Sequence, residues 1–282
     1  MIQLPIIGSV LEAAGTILEK KVLRYKEMNF KNYTTYEFLS IVITMIPILY
    51  ITWRISPEAK SLQNIFIFSF VILVATGANF LIFYSLKREN VTEFEPLWIM
   101  QPLFIVILAF IFFENERNIT LLIPALIASI TLIAAHVKKH HLTFDKYILA
   151  AILGSFLFAV ELVASKPILQ FYNPFTFYFI RCFFILVICV ALFKPSGKEL
   201  RNKKAALMII AIGVMWFLYR AIIYYGYENL GIVYTTTIFI LSPALMFLFA
   251  IIFLKEKPSV KQIISTILIV LCVIVSIILQ NK

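Results

Sequence analysis

Apolar runs long enough to span a bilayer follow one another along nearly all of this chain, and no other feature limits its fold so tightly. A helix needs about 20 apolar residues to cross the hydrocarbon core. Ten stretches qualify: 4–22, 33–55, 64–85, 93–113, 120–137, 146–166, 174–193, 204–225, 232–254 and 260–279. A backbone in lipid must satisfy its own hydrogen bonds, so runs of this length predict helices. Composition agrees, since 62% of residues are hydrophobic and 14% charged, too few to cover a water-soluble surface. The links are short and leave no room for a soluble domain. The first run carries Glu12 and lacks a basic start and a small-residue cleavage site, so it reads as a helix rather than a removable leader. The sequence predicts an all-α membrane protein with ten transmembrane helices.

The net charge of +10 alone would fit nucleic acid, but its placement argues otherwise. Eighteen Lys and Arg fall on the side reached by the odd-to-even links, and five (Arg54, Lys60, Arg117, Lys166, Lys282) on the side of the termini. The positive-inside rule then makes the basic side cytoplasmic and places both termini outside the cell, in a multi-pass plasma-membrane protein. These cations set topology and meet lipid headgroups. Cys182, Cys189 and Cys272 sit inside apolar runs, where packing is their expected role.

The chain also repeats itself. "IIGSVLEAAGTILEKKVL" (6–23) lies over "ILGSFLFAVELVASKPIL" (152–169), with Gly8 on Gly154, Ser9 on Ser155 and Lys20 on Lys166. "NYTTYEFLS" from Asn32 lies over "NPFTFYFIR" from Asn173, "FFENER" (112–117) over "IFLKEK" (252–257), and Pro102 near Pro243. The expected units are residues 1–142 and 143–282. Five helices per unit is an odd number, so the two halves enter the membrane in opposite senses. Two inverted five-helix repeats are a common build for secondary transporters with a midplane site.

At these residues the chain resembles the drug/metabolite transporter superfamily, EamA type. "NPFTFYFIR" looks like that family's start to the second helix of a repeat, and "FLKEKPS" (253–259) like the end of the fourth. "EAAGTILEK" (Glu12 to Lys20) is similar to the first helix of the small multidrug resistance proteins, four-helix relatives with a Glu, then Gly-Thr, then Lys at this spacing. The resemblance implies a ten-helix transporter in which Glu12 is shared between protons and an exported cation. The first repeat has Ser40 where the second has Arg181, and many relatives place their termini inside.

Charged residues within the runs nominate the site. Glu12 lies eight residues before Lys20, about 12 Å inside its helix end. An ionised group there costs about 2.5–3.5 kcal/mol on the insertion scale, so it should face a cavity or a partner. There it could exchange a proton for a cation; the structural alternative is a protonated Glu bonded to a neighbouring helix. Glu161, Arg181 and Arg220 lie at similar depth, roughly 8–12 Å in from the side of the termini. One Arg can neutralise Glu161, leaving positive charge suited to a carboxylate or phosphate. A structural ion-pair network, or Arg side chains snorkelling to the interface, fits the sequence equally well.

Further substrate-site candidates are Trp98 and Gln101 beside Pro102, Trp216 one turn before Arg220, Asn79 at the position of Arg220 in the first repeat, and Tyr84. Trp98 matches, within a residue or so, a pocket aromatic of the small multidrug relatives. His136, His140 and His141 have helical metal-ligand spacing but lie among Lys138 and Lys139, where a solvated helix end is the simpler reading. No nucleophile triad, phosphate loop or zinc signature is present, and neither an enzymatic activity nor a cofactor is expected.

The expected function is secondary transport of a small metabolite or drug by alternating access, with protons as coupling ion, membrane lipids as surroundings, and a monomeric or homodimeric state. Both charge types together suit an amino acid or other amphoteric metabolite, moved by export. Pro102 and Pro243 are the candidate flex points. The alternative is a flippase for lipid-linked sugars or polyisoprenoid phosphates.

Overall fold

Asn29 sets where the second helix begins. Its side chain accepts from the Asn32 amide at 2.8 Å, so α2 runs Phe30–Thr52 and starts three residues ahead of the span expected from hydropathy. Asn173 does the same for α6 (Pro174–Phe193), accepting from Phe175 N at 2.9 Å with Pro174 in the first turn. Asn202 caps α7 (Lys203–Asn229).

The computed structural model describes residues 3–88, 100–117, 146–254 and 260–280, with a few helical residues between 119 and 130. Besides the three helices named, these residues form α1 (Gln3–Leu23), α3 (Leu62–Arg88), α4 (Met100–Phe112), α5 (Lys146–Leu169), α8 (Ile232–Phe239), α9 (Leu241–Leu254) and α10 (Val260–Gln280). Short 3-10 turns occur at Pro57–Lys60, Glu114–Glu116 and Lys198–Arg201. Among the described residues there is no strand, only one isolated bridge between Ile55 and Tyr172. That bridge, with Ser56 N to Phe171 O at 2.8 Å and Asn173 N to Arg54 O at 3.1 Å, ties the end of α2 to the start of α6. Most of the expected fifth span, the start of the fourth and the His cluster lie outside the described residues.

Among the described residues, six stretches are long and apolar enough to cross a membrane, the last running from α8 through α9. Large apolar side chains point outward, such as Tyr50 at 95% exposure and Leu62 at 86%, while Glu12, Glu19, Glu37, Glu161, Arg181 and Arg220 are buried. Apolar groups outside and ionisable groups inside is the arrangement lipid demands. The chain is an all-α, multi-pass membrane protein.

The ninth expected span is broken at Ile240, between α8 and α9. Pro243 has no N–H to offer the carbonyl four residues back, which accounts for the interruption there. Pro102 lies in the first described turn of α4.

Helices of the first half pack mainly on helices of the second. The most extensive interfaces are α3 with α5, α1 with α7, α2 with α6 and α7, α4 with α5, and α1 with α9. Several come as exchanged pairs, since α1 against α7 is the repeat counterpart of α5 against α3. The glycines at these crossings show it in detail. A Cβ on Gly8 would meet the Phe239 ring at 2.6 Å and Ile222 at 3.2 Å; one on Gly154 would meet Ile82 at 2.9 Å and Leu81 at 3.3 Å. Each glycine lets its helix close onto the matching turn of the other half.

Lysines close the helix ends. Lys20 donates to Leu86 O at 2.6 Å near the end of α3, and Lys87 donates to Leu23 O at the end of α1. Each cation sits on the carbonyl pole of the other's helix. Lys166, matched to Lys20 by the repeat, pairs instead with Glu116. The Glu116 carboxylate also accepts from Ile232 N at 2.7 Å and Val233 N at 3.0 Å, holding the first turn of α8, which Gly231 enters at φ +91°.

Candidate functional site

Seven residues after Glu12, and therefore on the same face of α1, stands a second buried carboxylate, Glu19. The Trp216 indole N–H donates to Glu19 Oε1 at 2.6 Å from α7. Glu37 of α2 lines the same cavity wall as Glu19. Opposite them, Arg181 of α6 and Arg220 of α7 converge on Glu161 of α5. Arg181 Nε lies 2.9 Å from Glu161 Oε1, and Arg220 Nη1 3.5 Å from Oε2. The Tyr224 hydroxyl donates to Glu161 Oε1 at 3.2 Å. Glu161 has no solvent exposure. Its burial is tolerable because two cations and a hydroxyl replace water around it.

A cavity of about 30 Å³ lies between these groups, room for one or two waters. Glu19, Glu37, Asn79, Arg181, Trp216 and Arg220 supply its polar wall, and Phe38, Phe83, Phe158 and Tyr178 its rings. The guanidinium carbons stand over aromatic faces, Arg181 5.5 Å from Tyr178 and Arg220 5.3 Å from Phe158. Two buried atoms on this wall, Arg181 Nη2 and Glu37 Oε2, have no hydrogen-bond partner among the described residues. One is a donor and the other an acceptor.

Glu12 faces a separate, smaller cavity of about 20 Å³ with Gln101, Pro102, Tyr219, Tyr227 and Thr236. It is hydrogen-bonded with the Tyr219 hydroxyl. The Trp216 and Tyr219 rings touch edge to face at 5.1 Å, with Trp216 on the first cavity and Tyr219 on the second. Two small chambers thus lie along α1, about 10 Å apart at the helical rise.

The residues nominated from sequence are distributed as follows. Glu161, Arg181 and Arg220 meet, and Asn79, Trp216 and both Arg share the first cavity. Glu12 and Gln101 share the second. Tyr84 lines neither: its ring packs on Phe30 at 5.4 Å and Tyr147 at 5.0 Å, because its turn of α3 faces the start of α2 and of α5. Trp98 lies outside the described residues. The residual positive charge expected from two Arg and one Glu is corrected by the structure, since Glu19 and Glu37 add two carboxyls to that wall.

Sequence reasoning missed Glu19 and Glu37. Glu19 adjoins Lys20 and Lys21, and the signal available was its seven-residue spacing from Glu12. Glu37 lies within the first two turns of α2, which begins at Phe30 rather than at the expected 33. Ser40, at the repeat position of Arg181, donates to Ile209 O at 3.0 Å and seats α2 against α7, so one half alone supplies a guanidinium there.

Buried charges of both signs around small cavities, between cross-packed helices of an all-α membrane protein, suit a transporter, and comparison with known families gives the class, the drug/metabolite transporters. The chain is a member of the EamA-like transporter family, whose profile matches residues 1–136 and again 145–278. One solved structure, described only as a crystal structure of a protein, is similar over 99% of both chains with a TM-score of 0.72 at 18% identity, a likeness of fold. Comparison with curated proteins gives no match.

Proposed function

We propose that this transporter exports a small amphoteric metabolite, one bearing both an ammonium and a carboxylate, across the plasma membrane by alternating access coupled to protons. The observation that carries this reading is the pair of unpartnered atoms on one cavity wall, Arg181 Nη2 and Glu37 Oε2. An unpaired buried donor or acceptor is costly, and a ligand presenting the opposite group to each removes both costs. Asn79 adds a polar contact, and the rings of Phe158, Tyr178 and Trp216 shape the remainder. In the closed form the cavity is too small for a metabolite, so binding requires the cross-packed helices to part. The break at Ile240 and Pro102 in α4 are the candidate flex points.

A polyisoprenoid-phosphate flippase would use the guanidinium pair for phosphate, but two carboxyls on the same wall and a third, Glu161, already paired with both Arg weigh against a multiply charged anion. The test is exchange into proteoliposomes of labelled L-alanine, choline and lactate. Alanine carried well above the other two is the expected result; choline or lactate carried equally well defeats the two-charge requirement.

A further inference from the structure

Three carboxyls and two guanidiniums share one buried cluster. Glu161 is engaged by both Arg, which leaves Glu19 and Glu37 facing each other across the cavity wall. Both line one cavity of about 30 Å³, where two ionised carboxylates would repel each other; a proton held between them removes the repulsion and supplies the donor that a carboxylate lacks. With that single proton the two guanidiniums are balanced by Glu161 and one ionised member of the pair, while the buried Lys20 next to Glu19 is turned to the Leu86 carbonyl and counted with that end of α3. Without it the cluster carries an uncompensated negative charge in a low-dielectric interior, where such a charge is expensive.

From this geometry we infer that Glu19 and Glu37 hold one proton between them and form the coupling-ion site, in place of Glu12, which faces a different cavity. The inference rests on the transport reading above and adds the identity of the group that links flux to pH. The Trp216 N–H fixes Glu19, while Glu37 Oε2 is the acceptor left open to the cavity. The ammonium of a substrate and the proton therefore compete for the same pair, as an exchanger requires. The step is a proton transfer only: the proton leaves the pair for water as the ammonium docks, and returns when the ammonium departs.

The charged and titratable surroundings are consistent with one shared proton. Tyr33 on α2 lies beside Glu19; Arg181, Tyr178 and Cys182 face Glu37 from α6, and Arg220 from α7. Glu161 on α5 is tied to the two Arg, and Glu12 is two turns away on α1.

Infrared spectra of the full chain in lipid test this directly, through the protonated-carboxyl stretching band identified by its shift in D2O. Removing either member leaves two cations and two carboxylates, a neutral set that needs no proton. Glu19→Gln and Glu37→Gln should therefore each remove the same one-carboxyl amplitude, and the double variant no more than either alone. Losses that add, or a band unchanged in both, overturn the inference. Glu19→Asp and Glu37→Asp keep both carboxyls and should keep the band; its loss in both counts against the pair even where a Gln variant fails to fold. In proteoliposomes, a pH gradient should drive L-alanine exchange by the wild type and not by Glu37→Gln, and an equal response in both defeats the coupling role. If the wild type carries no alanine, the amphoteric-substrate reading falls while the infrared result stands on its own.

Discussion

Trp216 and Glu19 are joined at 2.6 Å, indole N–H to carboxyl oxygen, across the crossing of α7 and α1. Both residues are buried, and the bond fixes a carboxyl from one half of the chain to a ring from the other.

Trp216→Phe keeps a ring and deletes that donor. A buried carboxyl losing one of its hydrogen bonds costs about 1–3 kcal/mol. The variant should unfold at lower denaturant in mixed micelles, and its transport should lose affinity, because Glu19 is no longer fixed beside Glu37.

Glu161→Gln leaves Arg181 and Arg220 beside each other without their shared carboxylate. Breaking a buried ion pair from one side costs about 3–5 kcal/mol. Combining it with Arg181→Gln should recover part of that loss, since the uncompensated cation is removed as well. A double-mutant cycle on micelle unfolding measures the coupling; simple additivity would mean the three groups do not act as a unit.

Glu116→Gln removes the charge that pairs with Lys166 and weakens the cap on Ile232 N and Val233 N. Amide exchange at those two residues should quicken, about tenfold for each 1.4 kcal/mol lost. Exchange in the middle of α6, which Glu116 does not touch, serves as the reference.

Outside the membrane, Glu199 receives Tyr36 Oη at 2.7 Å and the Asn32 side-chain amide. Partial burial alone would raise its carboxyl, but these two donors and Lys198 hold it below the usual value of 4.5. A lowered carboxyl stabilises the fold above its ordinary value, and that contribution is lost as pH falls through the lower, folded-state value. Wild type and Glu199→Gln should therefore differ in melting temperature at neutral pH and converge in acid, once pH has fallen through the lowered folded-state value. The comparison reads the link between the start of α2 and the turn before α7.

Hydropathy was enough to find the helices, because spanning a bilayer imposes one length on every run. The repeat pointed to Gly8 and Gly154 before any contact was visible, since close crossings exclude side chains in both halves alike. Equal depth brought Glu161, Arg181 and Arg220 to one level, and the three do converge. Depth alone says nothing of azimuth around the helix axis. For that reason Glu12 was not separable from the Arg pair, nor Tyr84 from the cavity wall. Glu19 and Glu37 stayed hidden behind neighbouring lysines and a helix start misplaced by three residues, which Asn29, a good capping residue, could have corrected.

The cross-packing of the halves has a consequence for how the chain is made. Glu12, Glu19 and Glu37 leave the ribosome well before Arg181 and Arg220 do. At about 5–20 residues per second the interval from Glu37 to Arg220 is roughly 10–40 s. Through that time Glu19 and Glu37 wait in or beside the bilayer without the guanidiniums that will share their cavity, and Glu12 without the Tyr219 that will line its own. Newly inserted α1 and α2 must stay neutral, sit shallow or be held by the insertion machinery until translation delivers the other half.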